Sequence, residues 1–267
     1  MTFKDKYGPW AVVAGASEGL GAALAVGAAA RGCNVVLIAR GESKLVEVAT
    51  DIERSFGVST RPLALDLSAT DAASRVVAAV DDLDVGFFVY NAAAEPMGRF
   101  LETSNDELVR NVHMNCTVPT LITKALAAKM VARGSGGVAL CSSGAALVGA
   151  RNIAAYGASK AYELMLAEGL WEELRGSGVD VMGYVIGMTL TPSFRRNRGV
   201  TPQLEDELRA MGAQTPEECA AQFYEVFGHG PRGYALDGYE AKFAADAGRP
   251  RADVVAALGE MMEADYG

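Results

Sequence analysis

Ala14-Gly15-Ala16-Ser17-Glu18-Gly19-Leu20-Gly21 is the stretch that decides how the chain folds. It follows a short apolar run, residues 10–14, that reads as a buried strand, and it opens residues 20–31, whose length and apolar spacing are helical. A strand, a turn with glycines at spacings of four and two, and a helix bring backbone N–H groups and a helix N-terminus up to a pyrophosphate, where bulky side chains would block the approach. The same glycines also suit a plain strand-to-helix turn, so the decision rests on what lies outward of them.

Outward, the pattern repeats. Residues 35–39, 62–65, 85–90, 138–141 and 179–186 read as further buried strands, each bounded by Gly, Asp or Ser. Residues 43–56, 71–80, 105–133 and 155–175 have helical length and spacing between them. This β-α alternation predicts an α/β fold with a parallel, doubly wound, Rossmann-like sheet. No linker or internal repeat divides it, so we expect one domain over residues 1–267, with a cofactor-binding and catalytic core over about 8–190 and a substrate loop and C-terminal segment over about 191–267.

Residues 191–212 are polar and carry Arg195, Arg196 and Arg198; they read as a mobile, lid-like loop with a short helix. The three arginines read either as a solvated face or as partners for a carboxylate or phosphate on a substrate. Thr215-Pro216-Glu217-Glu218 combines an N-cap, a first-position proline and a capping-box glutamate, and starts a helix through Phe227. The tail beyond His229 carries no site signal.

Composition narrows the partners. The 267 residues are 50% hydrophobic and 21% charged, as in a globular protein, and the net charge of −9 with no basic run argues against a nucleic-acid partner. Cys33, Cys116, Cys141 and Cys219 lie far apart and the histidines are His113 and His229, so neither a disulfide framework nor a metal site is expected; reduced cysteines suit a cytoplasmic location. Residues 1–7 carry Lys4, Asp5 and Lys6, unlike a signal sequence, and the uncharged residues 134–150 are too rich in Gly and Ser to cross a membrane.

The second strand ends in Ala39-Arg40, where a site selecting NAD usually places an acid on the ribose 2′-hydroxyl. Arg40 can instead pair with a 2′-phosphate, and Ser17 can add a hydroxyl, which favours NADP(H); a surface arginine and a capping serine are the plainer alternatives. Tyr156-Gly157-Ala158-Ser159-Lys160 begins a predicted helix, so Tyr156 and Lys160 share one face. Ser143 lies thirteen residues upstream, just past a strand end that can present its hydroxyl to the same cleft. An ammonium and an oxidised nicotinamide would lower the pKa of a tyrosine from about 10 and make it an acid or base, with the serine orienting the reacting oxygen.

With these residues in order, the chain resembles the short-chain dehydrogenase/reductase family over roughly residues 8–194. The matching positions are Gly15 to Gly21, Asp66-Leu67, Asn91-Ala92, Asn115, Ser143, Tyr156, Lys160 and Thr191. The resemblance implies that Gly15, Ser17, Gly19, Leu20, Gly21, Arg40, Asp66, Leu67, Asn91, Ala92, Gly187, Thr189 and Thr191 line the cofactor. It implies that Tyr156 and Lys160 also touch it, that Lys160 holds the nicotinamide ribose, and that Asn115 helps relay protons to solvent. The family's Asn-Asn-Ala-Gly is here Tyr90-Asn91-Ala92-Ala93, and its Pro-Gly is Ile186-Gly187. Residues 6–10, 187–193 and 215–219 are similar to bacterial NADP-dependent hydroxysteroid dehydrogenases, especially those acting at a 7β-hydroxyl.

Ala145, Val148, Ile153, Met188 and Phe194 are the apolar residues expected to face a bulky hydrophobic alcohol or ketone, whether sterol, fatty-acyl or aryl. A non-catalytic nicotinamide-binding sensor, or an isomerase or lyase using the same tyrosine, are the rival functions. The resemblance implies a homodimer or homotetramer packed through the helices of residues 105–133 and 155–175.

Overall fold

A computed structural model describes residues 1–236 and 238–266, the side chains of Lys242 and residues 264–266 apart. Seven parallel strands form one sheet in the order β3-β2-β1-β4-β5-β6-β7. In chain order the elements are α1 (Phe3–Tyr7), β1 (Trp10–Ala14), α2 (Gly19–Ala30), β2 (Asn34–Ala39), α3 (Glu42–Phe56), β3 (Thr60–Ala64), α4 (Ala72–Ala79), β4 (Val85–Tyr90), α5 (Asn105–Val112), α6 (Val118–Arg133), β5 (Gly136–Ser143) and α7 (Ala154–Glu173). They continue with β6 (Val179–Ile186), α8 (Pro192–Arg198), α9 (Pro202–Ala210), α10 (Pro216–Val226), β7 (Arg232–Tyr234), α11 (Tyr239–Ala247) and α12 (Arg251–Tyr266).

Both sheet faces are covered, which is why the strands read as unbroken apolar runs. Ala11, Val13, Leu37, Phe87 and Tyr184 point to one face, against Leu24, Ala28, Leu45 and Phe223 of α2, α3 and α10. Val12, Val36, Phe88 and Leu140 point to the other, against Val76, Ile122, Leu126 and Ala167 of α4, α6 and α7. Strand order reverses between β1 and β4, whose ends run level with that of β2: Ala14 pairs with both Ile38 and Tyr90. Such a switch point leaves a crevice beyond the carboxyl ends of the strands.

One expectation needs correction, over residues 191–212, and two others gain detail. The helix expected over residues 105–133 is α5 and α6 joined by a π turn, His113–Thr117. Residues 191–212 form α8 and α9 in place of a loop with one short helix. Each begins on a Thr-Pro pair whose threonine accepts a backbone N–H, Thr191 from Phe194 and Thr201 from Leu204, and Leu190, Leu208 and Ala213 bury a small apolar cluster beneath them. The tail beyond His229 supplies β7, whose three residues are too few to show a period, and it pairs with β6.

Candidate active site

The glycine turn lies at the end of β1 in the crevice. Gly15 and Ala16 donate their N–H groups to Ile38 O at 2.7 and 3.1 Å, which ties the turn to the end of β2. Gly15 (φ +84°) and Gly19 (φ +59°) hold left-handed backbone, and a Cβ on Gly21 would lie 2.0 Å from Gly15 O, so three positions admit only hydrogen. The first turn of α2 contains no acid and receives no side-chain cap, because the preceding Glu18 turns outward to Lys44 and to Arg196, 2.6 Å away. Its N–H groups therefore lie open to an anion.

The other cofactor candidates gather at neighbouring strand ends. Arg40 is exposed one residue past β2, and Asp66 is exposed just past β3, whose extension is set by Leu65 N–H donating to Ala39 O. Asp66 accepts from Ser68 N–H at 2.9 Å and Ser68 Oγ–H at 2.8 Å; burial raises its pKa, but these bonds and the charges of Arg40 and Arg110 leave it below the ordinary value. Asn91 donates its N–H to Ala14 O at 3.1 Å, and its side-chain nitrogen lies against the Cα of Gly21. Leu20, Leu67 and Ala92 are buried, Ser17 is half-buried, and Thr191 caps α8 beside Gly19. Thr189 donates to Gly187 O at 3.3 Å in the segment that follows β6.

On the far side of the switch point, Ser143 ends β5 and its Oγ accepts from Ala145 N–H at 3.2 Å. Tyr156 occupies the first turn of α7, close enough to Ser143 for the serine to favour its ionised form. The approach of α7 to this strand end depends on Gly157, where a Cβ would lie 2.8 Å from Ala145 O and wedge the helix away from the serine. Lys160 follows one turn later, its Nζ 5.9 Å from the centre of the Tyr156 ring. Burial raises the pKa of Tyr156, with Lys160 the largest opposing influence and Ser143 a further one. The expected lowering is thus present but outweighed by burial in the protein alone.

Asn115 sits in the π turn, fully buried. It donates to Ala94 O at 2.9 Å and Ser159 Oγ at 2.9 Å and accepts from Ala94 N–H at 2.8 Å, so its side chain ties the segment after β4 to α7. Tyr90 donates to Met114 O, a carbonyl in the same turn. Interruptions of this kind free backbone groups inside a helix.

Among the expected substrate-facing residues, Val148 and Ile153 are buried, while Ala145, Met188 and Phe194 are partly open; Met188 and Phe194 pack on the cluster beneath α8 and α9. Arg195 pairs with Glu205 and Arg196 with Glu18, while the Arg198 guanidinium lies 5.2 Å from the Phe194 ring centre. Sequence reasoning missed Tyr239 and Phe243, which α11 sets over Gly187 and Gly144: a Cβ on Gly187 would meet the Tyr239 hydroxyl at 2.8 Å. Their spacing of four was the available signal. It also missed Glu163, a carboxyl on the buried face of α7 beside Lys160, whose spacing of three could have revealed it. No group of His, Cys, Asp and Glu suited to a metal occurs among the described residues, and none of their helices is long and apolar enough to cross a membrane.

Three comparisons bear on this geometry. A family model described as short chain dehydrogenase matches residues 9–199. The 7β-hydroxysteroid dehydrogenase of Collinsella aerofaciens is 34% identical over 85% of this chain and 86% of its own length. A solved structure from work on 7β-hydroxysteroid dehydrogenase stereoselectivity superposes with a TM-score of 0.90 at 31% identity, covering 97% of this chain and 99% of its own. A short-chain dehydrogenase from Sphingobium yanoikuyae in complex with NADPH gives 0.80 at 25% identity, covering 90% of this chain and 92% of its own.

Proposed function

The chain belongs to the short-chain dehydrogenase family, and from that premise we propose that it interconverts a secondary alcohol and a ketone on a bulky apolar substrate of the 7β-hydroxysteroid type, using NADP(H). The observation that carries the proposal is the placing of Tyr156, on the α7 turn that packs against the strand end of Ser143, one helical turn from buried Lys160 and across the switch point from the glycine turn. The relatives' 7β activity supplies the substrate class, and the part-open Ala145, Met188 and Phe194 suit an apolar ring system.

The residues fit the cofactor. Gly15, Gly19 and Gly21 leave space for a pyrophosphate at the uncapped start of α2, and Arg40, where an acid would repel a 2′-phosphate, favours NADP(H). When bound, the reduced nicotinamide supplies a hydride to the carbonyl carbon. Ser143 holds the carbonyl oxygen by donating its Oγ–H, and the Tyr156 hydroxyl gives its proton to that oxygen as the alkoxide forms. The tyrosinate left behind is stabilised by the Lys160 ammonium and regains a proton from solvent, with Asn115 holding the π turn beside the relay. In oxidation the same groups run backwards, with tyrosinate taking the alcohol proton.

The test is the near-ultraviolet absorbance of NADPH with a panel of 7-keto steroids, acyl ketones and aryl ketones. Loss of NADPH with the steroid ketones, absent in Tyr156→Phe, is expected; near-native turnover in that variant overturns the assignment, and reaction only with non-steroid ketones overturns the substrate class. We further propose a homo-oligomer, supported by the exposed Val109, Val112, Leu121 and Met165 on α5, α6 and α7, and a cytoplasmic location, supported by the free Cys33, Cys116, Cys141 and Cys219.

A further inference from the structure

Lys160 has a partner that the proposed chemistry does not use. Its Nζ donates to Glu163 Oε2 at 2.8 Å and to Cys141 O at 2.8 Å, and both side chains of the ion pair are out of solvent, 3% and 0% exposed. The second carboxylate oxygen, Glu163 Oε1, has no hydrogen-bond partner among the described residues, so no N–H donor draws the negative charge away from the lysine. A fixed, dry carboxylate of this kind acts on its neighbours at far greater strength than an exposed one.

We propose that Glu163 is a positioning residue: it holds the Lys160 ammonium between itself and Cys141 O and offsets its charge, and so sets how much of that charge Tyr156 feels. The inference rests on Tyr156 being the acid and base of the reaction. It accounts for a glutamate on the buried helix face it shares with Gly157, Ser159, Lys160, Leu164 and Ala167. A structural pair would serve as well anywhere on α7, whereas this one is built on the lysine one turn from the tyrosine.

The charges in contact with the pair fix the sign. Tyr90 from β4, Cys116 from the π turn and Cys141 from β5 face it, and burial holds all three above their ordinary values, so they are neutral across the working range. Glu95, on the segment after β4, also acts on Lys160 and Tyr156. Burial raises Glu163 against the pull of Lys160, and Glu163 in turn supports the lysine as an ammonium. The charge of Glu163 disfavours tyrosinate at Tyr156 directly, and by compensating Lys160 it does so a second time. With Lys160 kept an ammonium by its remaining bond to Cys141 O, removing the charge pushes Tyr156 towards ionisation on both counts.

The experiment compares wild type with Glu163→Gln, Glu163→Met and Glu163→Asp in two readouts. One is the pH profile of alcohol oxidation with NADP+ and a 7β-hydroxysteroid. The other, independent of any substrate, is tyrosinate absorbance with saturating NADP+, after subtracting the same protein carrying Tyr156→Phe. The neutral variants should ionise Tyr156 about one pH unit lower, that is with about tenfold more tyrosinate at a given pH below the midpoint. Glu163→Asp, whose charge is withdrawn by one methylene, should fall in between, and it decides the matter if neither neutral variant folds. A midpoint that stays or rises in any folded variant overturns the role of Glu163. Turnover surviving in Tyr156→Phe instead overturns the underlying reading and the inference with it.

Discussion

At Arg40 a guanidinium stands where an acid would hold a ribose 2′-hydroxyl, exposed one residue beyond β2 and close to the turn that β2 anchors through Ile38 O. Arg40→Ala should remove a charge-assisted contact to the 2′-phosphate worth about 1.5–3 kcal/mol, or about 10- to 100-fold in affinity for NADPH, and leave NADH nearly unchanged. Fluorescence titration with both nucleotides checks it, and equal weakening of the two would count against the role. The place of this residue was legible because it stands at a strand end, where position along the chain fixes its position in the sheet. Ser143, Tyr156 and Lys160 were legible for the same reason, as a strand end and one helix face. Glu163 was not: on the page it is one more acid in a helix, and only its complete burial beside Lys160 gives it meaning. Asn115 stood out as awkward within a helix, and the structure supplies the reason in a π turn that spends its amide on Ala94 and Ser159.

Among the elements, the approach of α7 to the end of β5 is what assembles the candidate catalytic group, and it hangs on Gly157. Gly157→Ala would set a methyl 2.8 Å from Ala145 O, a backbone atom that cannot swing aside. Overpacking of this sort costs about 1–3 kcal/mol, so the denaturant midpoint should fall while NADPH affinity, built on the other side of the switch point, holds. Turnover should fall more than affinity, because the wedge separates Tyr156 from Ser143. An unchanged turnover number would show that the two do not need this close approach. The β-α alternation was legible element by element because a strand buried on both faces is a bare apolar run. The stretch after β6 was misread because its helices are short and polar outside. Yet Thr191-Pro192 and Thr201-Pro202 carry the same start signal that Thr215-Pro216 carries for α10. What holds α8 and α9 down is invisible along the chain: Arg195 with Glu205, Arg196 with Glu18, and the buried cluster of Leu190, Leu208 and Ala213.

For the molecule as a whole, the sheet is filled on both faces, and part of the apolar surface left over lies on α5, α6 and α7. Val109 is 67% exposed and Met165 is 65% exposed, with Val112 and Leu121 beside them on α5 and α6, although nothing in the chemistry of the crevice calls for them. Such residues scattered singly would need no explanation, but four large apolar side chains on three helices that pack together argue for a covering surface. A second copy of the chain is the simplest cover, since a two-fold contact buries the same patch on both partners. Light scattering behind gel filtration should then give a mass of two or four chains for the wild type. Val109→Glu with Met165→Glu should reduce that mass while leaving the circular dichroism spectrum in place, because neither side chain contributes to the buried clusters on the sheet. A wild-type mass of one chain at micromolar concentration would overturn the assignment of this flank as an interface. If the double variant keeps its assembly, the copies meet elsewhere on the surface and the apolar flank of α5, α6 and α7 is open to another use.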